Sequence, residues 1–221
     1  VGIGRYALGD NTTGAQNTAV GNFALETNTT ADFNTALGYA ALRYNQTGNA
    51  NVAIGTDALE DNTGSSNTAV GYQSLSENTS GDENTAVGHA AADAITTGAG
   101  NVAIGKGALS AATTVNSNTA VGHKAAGSAT GANLTAIGTH ALQNCTASTL
   151  VAVGHYALND NTSGTENVAV GANALDVNTT GSRNTALGNG ALGQNTTANN
   201  NTGLGYLALT SNTSGTQNPA V

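Results

Sequence analysis

The chain has 221 residues, of which 8% are charged and 4% aromatic, and its formal net charge is −8. The five Lys and Arg residues are scattered, so there is no basic patch for nucleic acid or an anionic membrane surface. A single cysteine excludes an intrachain disulfide and a cysteine-based zinc site. No apolar run approaches the ~18 residues of a membrane-spanning helix.

A glycine recurs every 16 or 17 residues through the whole sequence. These marker glycines are Gly4, Gly21, Gly38, Gly55, Gly71, Gly88, Gly105, Gly122, Gly138, Gly154, Gly171, Gly188 and Gly205. Around them the consensus reads N-T-A-V-G-x-x-A-L-x-x-N-T-T-G-x-x. So short a period is typical of one coil of a parallel β-solenoid, whose coils stack ~4.8 Å apart. We therefore predict an all-β chain of about thirteen 17-residue coils. It forms a single solenoid domain over residues 1–221, which we expect to be a fragment of a longer chain.

The first predicted element of each coil is a short strand that ends at the marker glycine. The residue before the glycine is always Val, Ile or Leu, from Ile3 to Val221, and these side chains favour strands. We expect them to supply half of the core. Alanine recurs two residues before the glycine and three after it, and we expect a flat alanine face that suits close packing of subunits. The alternative is that this alanine face is exposed to solvent on a single chain.

The second predicted element follows the glycine. Four residues after the marker stands Leu in eleven coils, with Ala92 and Ala126 in the other two. This position is the second large apolar side chain of the coil. Two large apolar side chains per coil make only a thin core. A thin core favours further burial of apolar surface between chains.

Two asparagine positions form the corners. One lies seven residues after the marker in nine of thirteen coils, and the other lies four residues before the next marker in eleven of thirteen. Stacked amides hydrogen-bond along such a column, and asparagine tolerates left-handed corner dihedrals. We predict two structural asparagine ladders.

The middle coils depart from this pattern. Four apolar residues replace the first asparagine in consecutive coils: Ile95, Ala112, Ala129 and Cys145. In addition, Leu134 and Leu150 replace the second asparagine. An internal apolar ladder explains the change, and a contact stripe for a partner or a neighbouring filament is the alternative.

The segments Asn17-Thr18-Ala19-Val20-Gly21 and Asn51-Val52-Ala53-Ile54-Gly55 resemble the N-S-V-A-I-G coils of the YadA-like trimeric autotransporter adhesin heads. Similar repeats occur in phage tail-fibre proteins. The resemblance covers essentially the whole chain, although the family period is about fourteen to sixteen residues and Ser is common where Thr stands here. It implies a left-handed parallel β-roll and a homotrimer around a common axis. It also implies a location outside the cell, on a bacterial surface or a phage virion, and contact with a host surface glycan or matrix protein.

Aromatic and histidine side chains concentrate at the two positions after the marker. We name nine of them as candidate contacts to a ligand or partner: Tyr6, Phe23, Tyr39, Tyr72, His89, His123, His155, Tyr156 and Tyr206. Aromatic rings suit sugars and protein anchors, but they also cover a core edge or a subunit seam. Histidines in alternate coils lie ~10 Å apart by this spacing, which is too far for one metal ion within a chain.

The sequence favours a structural or adhesive surface shaft, and we expect neither an enzyme nor a cofactor. Two alternatives remain. An ice- or surface-binding solenoid would use a regular Thr face, but the Thr after the first corner asparagine is not followed by a second Thr two residues later. A polysaccharide-degrading spike would need two carboxylates ~5–10 Å apart, and Glu60, Asp61 and Glu77 are the only grouping near that arrangement.

Overall fold

A computed structural model describes residues 1–220, so Val221, the last apolar residue of the pre-marker column, lies outside the described part. The fold is all-β, with fourteen parallel strands in about thirteen solenoid turns. The chain divides into two compact units, Val1–Asn116 and Ser117–Val221. Within residues 1–220 no helix is long and apolar enough to cross a membrane.

The first unit holds seven strands in chain order. They are β1 (Gly2–Ile3), β2 (Thr18–Val20), β3 (Thr35–Leu37), β4 (Val52–Ile54), β5 (Thr68–Val70), β6 (Thr85–Val87) and β7 (Val102–Ile104). Each strand pairs in parallel with the equivalent residues of the next coil, as Val52 pairs with Thr68 and Ile54 with Val70. The predicted stacking of equivalent residues is confirmed.

The second unit holds the other seven strands. They are β8 (Thr119–Val121), β9 (Leu134–Ile137), β10 (Leu150–Val153), β11 (Val168–Val170), β12 (Thr185–Leu187), β13 (Thr202–Leu204) and β14 (Pro219–Ala220). Strands β9 and β10 have four residues where β8 and β11–β13 have three. The extra residue is Leu134 or Leu150, so the strand lengthens where leucine replaces the corner asparagine.

The middle residue of each three-residue strand points into the coil. Ala53, Ala69 and Ala86 are fully buried, while the residues on either side of each are only partly buried. Alternation of side chains along a strand requires this division. Our expectation for the alanines was therefore wrong, since they fill the interior of a single chain. The expectation for the pre-marker Val, Ile and Leu was wrong too, because they face outward.

The leucine four residues after the marker is the large core residue. Leu59 and Leu75 are fully buried, and both have left-handed backbone with φ of 51°. Their N–H groups donate to the next coil, at 3.1 Å to Ser74 O and 3.0 Å to Ala91 O. Left-handed φ is unfavourable for a leucine, so burial and these bonds must hold the conformation.

The marker glycine is required by close approach of the coils. Gly88 has φ of +136°, and a Cβ atom there would lie 2.7 Å from the carbonyl carbon of Gly105. No side chain fits at that distance, so glycine sets the spacing of successive coils.

Both predicted asparagine ladders are present. The corner amides form a buried column, in which Asn28 Nδ2 donates to Asn11 Oδ1 at 2.8 Å and Asn78 Nδ2 to Asn62 Oδ1 at 2.6 Å. In the other column, Asn34 Oδ1 accepts from the backbone N–H of Asn51 at 2.9 Å. These amides are structural because they satisfy buried backbone groups.

Candidate functional site

The outward side of the strands is a regular surface built from equivalent residues of successive coils. We call it the strand face. In the first unit it consists of the last residue of each strand, Val20, Leu37, Ile54, Val70, Val87 and Ile104, and the first residue, Thr18, Thr35, Val52, Thr68, Thr85 and Val102. Parallel register stacks each set into a column. Leu37 is 46% exposed and Ile104 39% exposed on this face.

The second unit has a strand face of the same kind. Its last-residue column is Val121, Ile137, Val153, Val170, Leu187 and Leu204. The outward residues two positions earlier form its other column, which is Thr119, Thr135, Val151, Val168, Thr185 and Thr202. Leu187 is 50% exposed. No charged residue occurs in either column of either unit. Each unit therefore presents a flat array of apolar and Thr side chains to solvent.

Such a face has a clear physical consequence. Water contact is unfavourable by about 25 cal/mol per Å² of apolar surface. Contiguous apolar surface of this regularity marks an interaction site in soluble proteins. The sequence does contain the signal, an alternation of outer Val, Ile or Leu with inner Ala, but residue size alone favours the larger side chains as the core.

Aromatic side chains of the first unit stack along the coils. The rings of Tyr6 and Phe23 are 5.5 Å apart and nearly parallel, and Tyr39 meets Phe23 edge-on at 5.6 Å. Further along, Tyr72 stacks on His89 at 5.3 Å. The predicted stripe is thus two stacks, in which the ring faces of neighbours cover one another.

Arginine side chains cap the first of these stacks. Arg5 lies 4.7 Å above the Tyr6 ring, and Arg43 lies 4.8 Å above the rings of both Phe23 and Tyr44. Arg43 also pairs with Glu26 at 2.8 Å, and this contact is the main cause of its raised pKa. Arginines therefore cover one face of the Tyr6, Phe23 and Tyr44 rings. Tyr39 is 49% exposed.

Two histidines of the second unit are in contact with each other. His123 meets His140 with ring centroids 5.3 Å apart, because these two residues belong to consecutive coils. His140 stacks on Tyr156 at 4.9 Å, and His155 meets Tyr156 edge-on at 4.3 Å. The Nδ1 atom of His140 hydrogen-bonds to Gln143. In residues 1–220 no three His, Cys, Asp or Glu side chains are placed to hold a metal ion.

Tyr206 is the most exposed of the aromatic Tyr and Phe candidates. Its side chain is 76% exposed. Its neighbour in the chain, Leu207, lines a recess in the second unit that the sequence pattern does not predict.

The middle stripe lies in the interior. Ile95, Ala112, Ala129 and Cys145 are each fully buried. Burial raises the pKa of the Cys145 thiol. A surface contact stripe at these residues is therefore corrected to an internal apolar ladder, the other interpretation of the pattern.

The carboxylates near Glu60 form a small acidic group in the first unit. The pKa of Glu60 is raised, first by burial and then by the charges of Asp57, Asp61 and Glu77, against a lowering by Arg43. Asp61 and Glu77 are exposed. Burial and these neighbouring charges account for the raised pKa of Glu60. None of these carboxylates lines the recess of the second unit.

No protein-family model matches the chain, and no curated protein or solved structure is significantly similar to it.

Proposed function

We propose that this chain is the shaft or head of an extracellular trimeric filament, on a bacterial cell surface or a phage virion, with a structural and adhesive role. In this proposal the coils are left-handed, and three chains pack with their strand faces toward a common axis. The strand face is the observation that carries the proposal.

Charge and shape favour a second copy of the same chain as the occupant of the strand face. The chain carries a net charge of −8, yet its strand-face columns hold no charge, so repulsion between copies is weakest there. Flat columns with one side chain per coil match an identical column in register. A closed ring of three such faces removes them from water and leaves no open apolar surface.

The thin core of each coil supports the same conclusion. One leucine and two alanines fill the interior of a typical coil, as Ala53, Ala58 and Leu59 do. The outward Val, Ile and Leu contribute stability only when another surface covers them. Trimer formation supplies that cover.

Sedimentation equilibrium of the purified chain tests the proposal, with a mass of three chains expected. Val70→Lys places a charge in the strand face of β5 and should dissociate the trimer while the β-type circular dichroism spectrum stays. Ser80→Lys, at an exposed corner of the same unit, is the matched control and should keep the trimer. A wild-type monomer at micromolar concentration would rule out the trimeric shaft.

An ice- or surface-binding solenoid is the second candidate, because one observation favours it. Thr68 and Val70 lie on the same outward face of β5, two residues apart, and the same pairing occurs in β2 and β6. A flat Thr and Val array of this kind would have to be exposed in a monomer to meet ice. Thermal hysteresis in a monomeric sample would support this candidate, and a trimer without hysteresis would exclude it.

A further inference from the structure

The second unit contains a recess of about 390 Å³, and none of the residues that line it belongs to the strand face. We call it the glycine notch. Its floor is Gly190 and Gly193, and its walls come from the coils before and after: Asn173 and Asp176 on one side, Leu207 and Thr210 on the other. The side chains of Asn189 and Gln194 complete the lining.

Two missing side chains create the notch. The coil that starts at Gly188 is the only one with glycine both two and five residues after the marker. The backbone does not demand glycine at the first of these positions. Gly190 has φ of 65°, while Asn173 and Leu207 occupy the equivalent position with φ of 55°. The glycines therefore remove bulk. A Cβ atom at Gly190 would lie 2.5 Å from Leu207 Cδ2, so the Leu207 side chain reaches over this glycine and forms one wall of the recess.

The polar groups of the notch are unpartnered, unlike the ladder amides. Among residues 1–220, no hydrogen bond joins another group to the side chains of Asn173, Asn189, Gln194 or Asp176. Asp176 is partly buried, and its pKa is raised first by that burial and then by the charge of Asp160, with His155 acting in the opposite direction. A donor from a ligand would stabilise its ionised form.

We propose that the glycine notch binds one neutral pyranose unit of a glycan. Amides offer a donor and an acceptor side by side, and a carboxylate offers two acceptors, which suits the adjacent hydroxyls of a sugar. Leu207 is 42% exposed and provides an apolar surface for a sugar C–H face. A volume of 390 Å³ lies at the small end of ligand pockets. The carboxylate and the net charge of −8 disfavour phosphate and acidic sugars.

This assignment deepens the adhesive part of the proposed function and rests on it for its biological setting. All of the lining residues belong to one chain, so binding does not depend on the trimer. A trimer that binds no sugar would overturn the notch assignment alone. A monomer that binds sugar would overturn the shaft proposal alone.

Saturation-transfer NMR with the methyl glycosides of glucose, galactose, mannose and N-acetylglucosamine tests it. We expect at least one to bind with a Kd of about 1–10 mM, the range for a single sugar with few contacts. Gly193→Gln fills the notch and should weaken binding at least about tenfold. Gly127→Gln, at the equivalent position four coils earlier, is the matched control and should leave the Kd unchanged.

A second variant guards against a folding defect. Gln194 is exposed, so Gln194→Ala removes one lining amide without disturbing the core, and it should weaken binding severalfold. The sugar assignment is wrong if none of the four glycosides binds at about 20 mM, or if Gly127→Gln weakens binding as much as Gly193→Gln. Binding of Ca²⁺ alone to the same amides, with no effect of glycoside, would also overturn it in favour of a cation site.

Discussion

The corners at Gly64 and Gly98 lie in the same unit and differ in how many side chains reach their carbonyl oxygen. Gly64 O accepts from Asn51 Nδ2 at 2.9 Å and from Asn62 Nδ2 at 2.7 Å. Gly98 O accepts from Asn84 Nδ2 at 2.8 Å, and Ile95 stands where a second asparagine would donate. The two ladders thus converge on one acceptor with two lone pairs. When one asparagine is replaced, the other amide still donates to this carbonyl oxygen. This explains why apolar residues can replace one of the two ladders.

One corner of the second unit has no asparagine at all. At the Ala147 corner both asparagines are replaced, by Leu134 and Cys145. The carbonyl oxygen of Ala147 accepts from Cys145 Sγ at 3.2 Å, a weaker donor than an amide. Corners with two amides, one amide and none therefore occur in one molecule.

The largest effect should follow from removing both amides at Gly64. The double variant Asn51→Ala, Asn62→Ala leaves Gly64 O without a side-chain donor and the Asn67 N–H without its acceptor, Asn51 Oδ1. Each unsatisfied buried group costs about 1–3 kcal/mol, so we expect a loss of about 4 kcal/mol. Urea unfolding of the two single variants and the double variant measures it.

The same set of single and double variants tests whether the two amide donors to Gly64 O are redundant. Each single variant leaves Gly64 O with one donor, so the double loss should exceed the sum of the single losses by about 1 kcal/mol. Additive single losses would mean that each amide at a corner contributes independently and that the two donors are not redundant.

The period, the parallel strands and both ladders could be predicted because they depend on spacing alone. The side of the strand that faces inward could not, although the alternation was visible. Burial preference argues for Val70 over Ala69 in the core, but a coil that stacks through its own backbone has room only for alanine there. The narrow interior, a property of the closed coil, overrides the preference of the single residue.

The candidate site was predicted only in part. The aromatic column was visible as side chains, and its stacking on neighbouring coils follows from the period. The glycine notch was missed because its signal is the absence of side chains at Gly190 and Gly193. These glycines resemble the many others that the repeat requires, and only a comparison of equivalent positions separates them.

The next prediction compares the loss of the equivalent asparagine at two corners, Gly98 and Gly64. Asn84→Ala removes the amide that reaches Gly98 O and also the oxygen Asn84 Oδ1, which accepts from the Asn101 backbone N–H at 3.0 Å and from Asn101 Nδ2 at 2.9 Å. Asn51→Ala frees the corresponding Asn67 N–H but leaves Gly64 O with Asn62. We therefore expect Asn84→Ala to lower the free energy of unfolding by about 1 kcal/mol more than Asn51→Ala. Equal losses in urea unfolding would contradict the difference between the corners.

A smaller effect concerns the carboxyl that shares a coil with Ile95. Asp93 Oδ1 is buried and has no hydrogen-bond partner among residues 1–220. Burial is the main cause of the raised pKa of the Asp93 carboxyl, and hydrogen bonding to the backbone of Asp93 and Ala94 acts in the opposite direction. Because the folded pKa is above the unfolded value, the protonated form favours folding. This contribution is complete below the ordinary Asp range and is lost as pH rises through the raised pKa.

Asp93→Asn removes that pH dependence. At pH 7 the variant should melt roughly 2 °C above wild type, and the difference should vanish near pH 3. Asp10→Asn, at an exposed corner of the same unit, is the control and should leave the melting temperature unchanged. A variant less stable than wild type at pH 7 would mean that the Asp93 carboxylate is stabilised in the fold.

The last effect restores one amide at the corner that has none. Cys145→Asn places an amide next to Ala147 O, which Cys145 Sγ reaches now, and gives the Asn161 amide an oxygen in place of a sulfur at 3.7 Å. We expect a gain of about 1 kcal/mol in the free energy of unfolding, measured in urea. Cys145→Ala is the control and should give no gain, because it adds no donor. If both variants stabilise equally, removal of the thiol is the cause and the corner does not need an amide.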